Sequence, residues 1–537
     1  MNFKQYLATL LSGLFVSIGL ILWNTFGDGF INYPIFIFFA ISTFFFSVKF
    51  PRRTFLVFVM FLALENIVIT PKEFPFSLRP FQLIGAILFL TTFLLGFKQK
   101  AKHYILGTRN LLTKKKKAVC ELTFFDKLIF VLPIFALLGT FNAPNRALSL
   151  KLAIIFFSFI ILYWLIRSFV KSREEIVETL LFFVFGSVPV IFWSFYQAFA
   201  KLIGWVDFQV FTARVNGTFT EPDWLGVYLV LMLAILLWFR HLAKPDKSDL
   251  MVAGFGVSRI FGFFVNLYFI VAFSVLILTV SRSAWLGVFA VYIMYLLILL
   301  ADKFFHKTFS FVQILKNVLV LGLLSSLAVF VVGFTGLSTF HFGNRAASSI
   351  SGQQLITISC ERNTELPYEI RTMDELDIFG CRHIDLEEVK REKMNKMFVT
   401  TIMRPDPNIS IRKEIYAKTF KETKKHLFLG QGLGSAASFL GTDDHGSGLN
   451  TSNIVLEILL SMGIFAAIFS IFIIGKLISW SLARVYNVKN HIFSSLILLS
   501  GVAIIIPNMF NAGLLMGMFW FWLAIVVCIY EFVRNEK

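Results

Sequence analysis

Four short stretches concentrate the side chains of this sequence that could bind or move charge. The first runs from Arg214 to Trp224 and holds Arg214, Glu221 and Asp223. The second is Ser281-Arg282-Ser283-Ala284-Trp285. The third starts with Arg412, Lys413, Glu414 and Tyr416 and ends in Gly430-Gln431-Gly432-Leu433-Gly434-Ser435. The fourth spans Asp443 to Asn453, includes Asp444 and His445, and leads into Glu457. An ionised side chain beside apolar helices costs energy to keep, which makes each a functional candidate. Arginine offers a permanent cation with a planar fork of donors for an anionic group. The imidazole of His445 titrates near neutrality and suits proton transfer, and the carboxylates could do the same. The bland alternatives are specific too. An arginine at a helix end often serves as an interfacial anchor, a charged helix carries solvated charges, and His445 could be a solvated loop residue.

The elements that must position these residues are membrane helices. The chain has 537 residues, 57% hydrophobic and 15% charged, whereas soluble domains average about 45–50% apolar and about 25% charged. Apolar runs of a length that crosses about 30 Å of hydrocarbon recur from end to end. Fourteen are expected, at residues 5–23, 33–48, 54–69, 80–97, 128–141, 152–166, 177–200, 224–239, 260–280, 283–301, 318–337, 454–475, 492–509 and 513–530. The fifth, thirteenth and fourteenth could instead be half-helices. The fold class expected is an all-α polytopic membrane protein of 12–14 spans with one large loop. Four regions follow: 1–127, 128–337, 338–453 and 454–537.

The net charge of +18 does not call for a nucleic-acid partner, because membrane proteins collect Lys and Arg in cytoplasmic loops. Placing the basic loop Lys98–Lys127, with its run Lys114–Lys117, in the cytoplasm fixes the side of every other loop. Cytoplasmic segments then hold 28 Lys and Arg, the short external ones 7 and the large loop 15. Both termini fall in the cytoplasm of a multi-pass protein of the cytoplasmic (inner) membrane. All four charged stretches fall outside. Lys114–Lys117 is a topology anchor in this reading. The stretch Tyr6–Trp23 is expected as an uncleaved first span, since no small-residue cleavage site follows it.

The large loop balances its 15 basic residues with 15 acidic ones and has no long apolar run. It is expected to fold as an external cap with β-type chain at Leu355–Ser359, a charged helix over Leu386–Met397, a break at Pro405 and Pro407, and a second helix over Ile411–Lys425. Cys360 and Cys381 lie within it, where an oxidising compartment would permit a disulfide. Internal repeats of the kind found in two-halved transporters are not evident.

The order of these pieces resembles the O-antigen ligase and O-antigen polymerase family of membrane glycosyltransferases over roughly residues 130–510. The residues that carry the resemblance are Gly217-Thr218-Phe219-Thr220-Glu221-Pro222-Asp223-Trp224-Leu225-Gly226, then Ser281-Arg282-Ser283-Ala284-Trp285-Leu286, the Arg412 helix leading to Gly430–Gly434, and Asn453–Gly463. The resemblance implies transfer of a glycan from a polyprenyl (undecaprenyl) diphosphate donor to an acceptor hydroxyl on a glycolipid or glycan, beside the lipid bilayer. It implies no cofactor, no metal and no nucleic acid. Arg214 and Arg282 are then expected to hold the departing diphosphate, whose negative charge grows in the transition state. Arg412 could be a third holder or could serve closure of the cap. Glu221, Asp223, Asn453 and Glu457 are expected beside the substrates.

One departure from the family pattern concerns the base. The family usually has His immediately before the Asn that opens the last site helix, and this chain has Ser452 before Asn453. His445 stands upstream, and Asp443, Asp444, Glu221 or Asp223 could serve in its place. The Gly430–Gly434 stretch is expected to be a turn, since it lacks the strand and Lys-Ser/Thr context of a phosphate cradle. Glu65, inside the third expected span, is a weaker candidate with a helix-packing role as its alternative. Two other functions fit part of the sequence. A transporter of lipid-linked glycans would place its polar groups near the bilayer midplane, and an envelope scaffold would need no clustered arginines.

Overall fold

A computed structural model of the chain describes residues 3–27, 31–74, 76–105, 122–206, 208–209, 214–242, 251–252, 255–256, 259–337, 351–361, 366–373, 375–384, 388–442, 448–486 and 491–535. It is an all-α polytopic membrane protein. The bundle helices are α1 (Phe3–Phe26), α2 (Tyr33–Lys49), α3 (Pro51–Met60), α4 (Pro80–Ile105), α5 (Phe124–Gly139), α6 (Arg146–Phe169), α7 (Arg173–Leu202), α8 (Pro222–Leu242), α9 (Arg259–Leu278), α10 (Arg282–Ala301) and α11 (Phe311–Thr335). After the large loop, which carries α12 (Pro407–Thr423), come α13 (Ile454–Arg484), α14 (His491–Asn508) and α15 (Gly517–Asn535). Among the described residues, eleven helices are long and apolar enough to cross a membrane, and α2 and the apolar part of α4 are shorter.

Burial around each helix explains its place. α8 is apolar on all sides and nearly every side chain is buried, as expected of a central helix; it packs against α7, α9, α10 and α14. α1, α2 and α11 leave Phe15, Phe38 and Phe334 exposed, the faces that meet lipid. The fifth, thirteenth and fourteenth expected spans are full-length helices. α5 with its terminal turn covers 19 residues, α14 covers 18, and the window Gly517–Arg534 of α15 covers 18. At about 1.5 Å per residue each is roughly 27 Å or more in length.

The third expected span differs. Residues 54–69 do not form one helix: α3 stops at Met60, a tight turn covers Phe61–Ala63, and irregular chain continues to α4. Two contacts account for the stop. Gly186 of α7 lies so close to Met60 that a Cβ there would be 2.3 Å from the Met60 carbonyl oxygen. Thr218 Oγ1 donates to the Ala63 carbonyl at 2.6 Å, and the Asn66 amide donates to the Thr218 carbonyl at 2.7 Å. Non-helical backbone is tolerated at such depth because protein supplies its partners. Glu65 is almost completely buried on this segment and pairs with Arg79.

A second interruption lies inside α13. Gly463 has φ +82° and breaks the helix, and a Cβ on it would fall 2.1 Å from the Phe428 carbonyl oxygen. The chain at Leu427–Gly432 satisfies the broken backbone: the Gln431 amide donates to Leu460, Gly432 to Ser461, and Ile464 to Leu427. The glycine-rich stretch is thus a turn locked against a helix break.

The cap carries a three-stranded antiparallel sheet. With a two-residue hairpin at Met251–Val252 (β1) and Phe255–Gly256 (β2) counted first, its strands are β3 (Gln353–Cys360), β4 (Cys381–His383) and β5 (Phe398–Pro405), in the order β4-β3-β5. Cys360 and Cys381 are directly opposed and joined by a disulfide. Ile356, Ile358, Ile370, Leu376 and Ile402 fill a small core beside it. The strand is longer than the expected Leu355–Ser359. Of the expected charged helix, Leu386 and Glu387 lie outside the described residues and Val389–Met394 is helical; α12 begins at Pro407.

Candidate active site

The candidate residues are assembled at the end of the bundle where α8 and α10 begin and α9 and α14 finish, with the cap seated on it. The loop before α8 is shaped from below by Gln197 of α7. Its carboxamide accepts from the Gly217 amide at 2.8 Å and donates to Asn216 Oδ1 at 3.2 Å. Gly217 has φ +57°, and a Cβ would come 2.8 Å from Ser194 Oγ; this turn therefore requires glycine. Val215 bonds back to the last residue of α9, its amide 3.4 Å from the Leu278 carbonyl.

That loop delivers Arg214 to the turn between α9 and α10. Arg214 Nε donates to the Thr279 carbonyl at 2.9 Å, and an Nη lies 3.1 Å from Asp223 Oδ2. The other Asp223 oxygen accepts from Ser281 Oγ at 2.5 Å. Ser281 also caps α10 through the Ala284 amide. Val280 between them has φ +52°, a conformation that is a genuine outlier for a β-branched residue. It allows Thr279 to face Arg214 while Ser281 turns to Asp223.

Arg282, the first residue of α10, pairs with both oxygens of Asp406, the closer contact through Oδ2 and the other at 3.4 Å. Asp406 sits between Pro405 and Pro407 at the base of the cap sheet, its amide held by the Gly352 carbonyl at 2.8 Å. Arg412 of α12 lies over the Phe510 ring at 5.2 Å, and the next residue, Asn511, donates to Ser283 Oγ at 3.0 Å. Arg412 also acts electrostatically on Asp223, together with Arg214. Arg214 is thus bonded to the short segment Thr279–Ser283, Arg282 belongs to it, and Arg412 acts on Asp223 beside it. Glu221 is half-buried next to Pro222 at the start of α8.

The two expected residues of α13 have structural partners. Asn453 caps the helix through the Val455 and Leu456 amides and donates to the Met509 carbonyl at 3.1 Å. Glu457 is buried and accepts from Thr451 Oγ1 at 3.0 Å and Ser461 Oγ at 3.2 Å. Tyr416 donates to the Ser452 and Met509 carbonyls, both at 3.2 Å. The turn after α14 therefore gathers α12 and α13 beneath the cap. Asp443, Asp444 and His445 lie outside the described residues.

Three contributors were not singled out from the sequence: Asp406, Gln197 and Ser281 as a carboxylate partner. Asp406 had a signal, being an acid held between two prolines, which restrict the backbone on both sides. Gln197 had none, since one polar residue in a long apolar helix reads as any packing hydrogen bond.

Residues 267–471 match the family model described as O-antigen ligase. The matched segment contains Arg282, Asp406, Arg412, Asn453 and Glu457, whereas Arg214 and Asp223 precede it. The match supports the O-antigen ligase and polymerase family and a membrane protein of polysaccharide biosynthesis. Comparison with curated proteins gives no match.

Proposed function

We propose that the chain is a lipid-diphosphate-dependent glycosyltransferase acting at the extracytoplasmic face of the cytoplasmic membrane. It transfers glycan from a polyprenyl (undecaprenyl) diphosphate donor to an acceptor hydroxyl. The observation that carries this reading is that Arg214 bonds to the Thr279–Ser283 turn, which itself holds Arg282, and that Arg412 is near enough to act on Asp223. Oriented charge of this kind stabilises negative charge that develops on a departing diphosphate. The charge bias of the loops and the cap disulfide support the outer side.

In this reaction the acceptor oxygen bonds to the anomeric carbon while the bond from that carbon to the diphosphate oxygen breaks. The electron pair leaves with the lipid diphosphate, and the acceptor proton passes to a base. His445 is the imidazole candidate, and Asp223 or Glu221 the carboxylate ones. Arg282 is held by Asp406 in the closed cap, so the donor phosphates exchange with that carboxylate, and the cap loosens as the donor enters. An apolar cavity of about 240 Å³ between α13, α14 and α15, lined by Ile454, Ile458, Ile504 and Met509, is a seat for the first isoprene units. The reaction as drawn uses no cofactor and no metal at the arginines. Ligation and polymerisation share these steps and differ in the acceptor, a glycolipid or another lipid-linked repeat.

The test is transfer from a polyprenyl diphosphate donor by purified protein in liposomes, with chelator present, beside Arg282→Ala and His445→Ala. Transfer that survives chelation and falls in both variants supports the assignment. Movement of intact donor between leaflets without a new glycosyl bond would replace it with transport.

A further inference from the structure

The end of the bundle opposite the cap holds a buried cluster that the arginine site does not use. His241 is the penultimate residue of α8, Asp302 opens a five-residue π-turn after α10, and His491 is the first residue of α14. Their exposures are 2%, 0% and 3%. His241 Nε2 lies 3.1 Å from Asp302 Oδ2, and His491 Nε2 lies 3.9 Å from Asp302 Oδ1. One ligand atom from each residue falls within 4.8 Å of the other two. The length of α8 puts this cluster about 27 Å from Asp223.

We propose that His241, Asp302 and His491 bind a divalent transition-metal ion of the zinc class, which ties α8, α10 and α14 together. Two imidazoles and a carboxylate are a borderline nitrogen and oxygen donor set, which zinc accepts at about 2.0–2.2 Å. Donors at that radius around a tetrahedral ion stand roughly 3.4 Å apart; His241 Nε2 and Asp302 Oδ2 are 3.1 Å apart, and one ligand atom from each of the three residues lies within 4.8 Å of the others. The ion would also balance the fully buried Asp302 charge, which apolar surroundings penalise.

The local backbone and a third imidazole point the same way. α10 ends in a π-turn over Asp302–His306, closed by Lys307 at φ +53°; such turns recur at functional sites. His306 Nε2 is 2.7 Å from the Val485 carbonyl, and its ring is 4.5 Å from that of His491. Its Nδ1 is buried and has no hydrogen-bond partner among the described residues. With Nε2 donating to a carbonyl, Nδ1 carries the lone pair, which is how outer-shell carbonyls orient metal-binding histidines. His306 is not one of the three residues whose ligand atoms lie within 4.8 Å of one another, so it would join them as a fourth ligand only on a shift of its ring. The ring of His241 is stacked on Phe309 at 5.9 Å and faces the edge of Tyr295 at 6.3 Å, so the site is closed to solvent and its role is structural.

The full chain, purified with any affinity tag removed, is dialysed against a chelator and reloaded with Co²⁺ or Zn²⁺. The expected result is one equivalent of either ion, the visible absorption of tetrahedral Co²⁺, and a melting temperature raised by roughly 2–3 °C with zinc in hundredfold excess over Kd. Asp302→Asn, close in shape, loses the spectrum and the zinc-dependent shift. If wild-type protein takes up neither ion above background and melts alike with and without zinc, the cluster is a histidine–aspartate pair and the metal assignment is wrong. That comparison needs no variant, so a misfolded Asp302→Asn cannot obscure it. Glycan transfer measured well below the melting temperature survives the chelator, which separates this site from the arginine chemistry.

Discussion

Arg282 at the start of α10 and Asp406 at the base of the cap form an ion pair in which the carboxylate side chain is 1% exposed and the guanidinium side chain 23%. The pair latches the cap to the bundle with the same cation proposed to hold the donor. A charge-assisted contact of this kind exchanges readily only for another oxyanion of similar geometry.

The two partners therefore respond differently to replacement. Arg282→Ala should lower transfer by about 100-fold or more through lost transition-state charge stabilisation. It should also loosen the cap, because Asp406 is left buried without its cation. Asp406→Asn should keep transfer and lower the donor KM by roughly 3- to 10-fold, as a competing carboxylate disappears. Steady-state kinetics in liposomes decide it. A folded Asp406→Asn protein as inactive as Arg282→Ala would mean that Asp406 does more than compete.

Arg214 uses two nitrogens of its guanidinium, Nε for the Thr279 carbonyl and Nη2 for Asp223. Lysine keeps the charge but cannot make both contacts with the same geometry. Arg214→Lys should reduce kcat by about 10- to 100-fold with a smaller change in donor KM. Wild-type kcat in that variant would reduce Arg214 to a general positive charge.

The helix break at Gly463 has an internal control on the same helix. A Cβ at Gly463 would overlap the Phe428 carbonyl, and its φ is left-handed, whereas a Cβ at Gly475 meets nothing within 4 Å. Gly463→Ala should cost about 1–3 kcal/mol from strain alone, and more from the clash. Gly475→Ala should be neutral. Melting curves and monodispersity of the two variants in detergent provide the comparison.

The disulfide between Cys360 and Cys381 closes a segment with a sequence separation of 21, worth about 3 kcal/mol in the chain-entropy account. Because it staples the cap sheet alone, reduction should make the cap sensitive to limited proteolysis and leave the bundle helices uncut. Fragment masses with and without reductant read this directly. Cleavage that spreads into α10 or α13 under reduction would show that the cap and bundle unfold together.

Much of the fold was legible because membrane insertion writes itself into local sequence. Apolar length marked the helices, charge bias marked the loops, and a neutral, mixed segment marked the cap. The failure at residues 54–69 has a specific cause: an apolar run does not reveal that Gly186 and Thr218, distant in sequence, will stop α3 at Met60 and complete its backbone. The site was legible as residue types on one end of the bundle. Its pairings were not, since nothing in the local sequence shows that Asn453 caps α13 or that Glu457 accepts from Thr451.

By itself, then, the sequence determined the membrane class and the charge-balanced loop that folds as the cap. Those depend on hydropathy and charge, which act over one helix length. Tertiary structure alone decided that Asp223 belongs to Arg214, that Asp406 belongs to Arg282, and that His241, Asp302 and His491 share one buried site. Each of these joins residues from different elements, and such contacts are set by close packing of side chains whose positions no local pattern encodes.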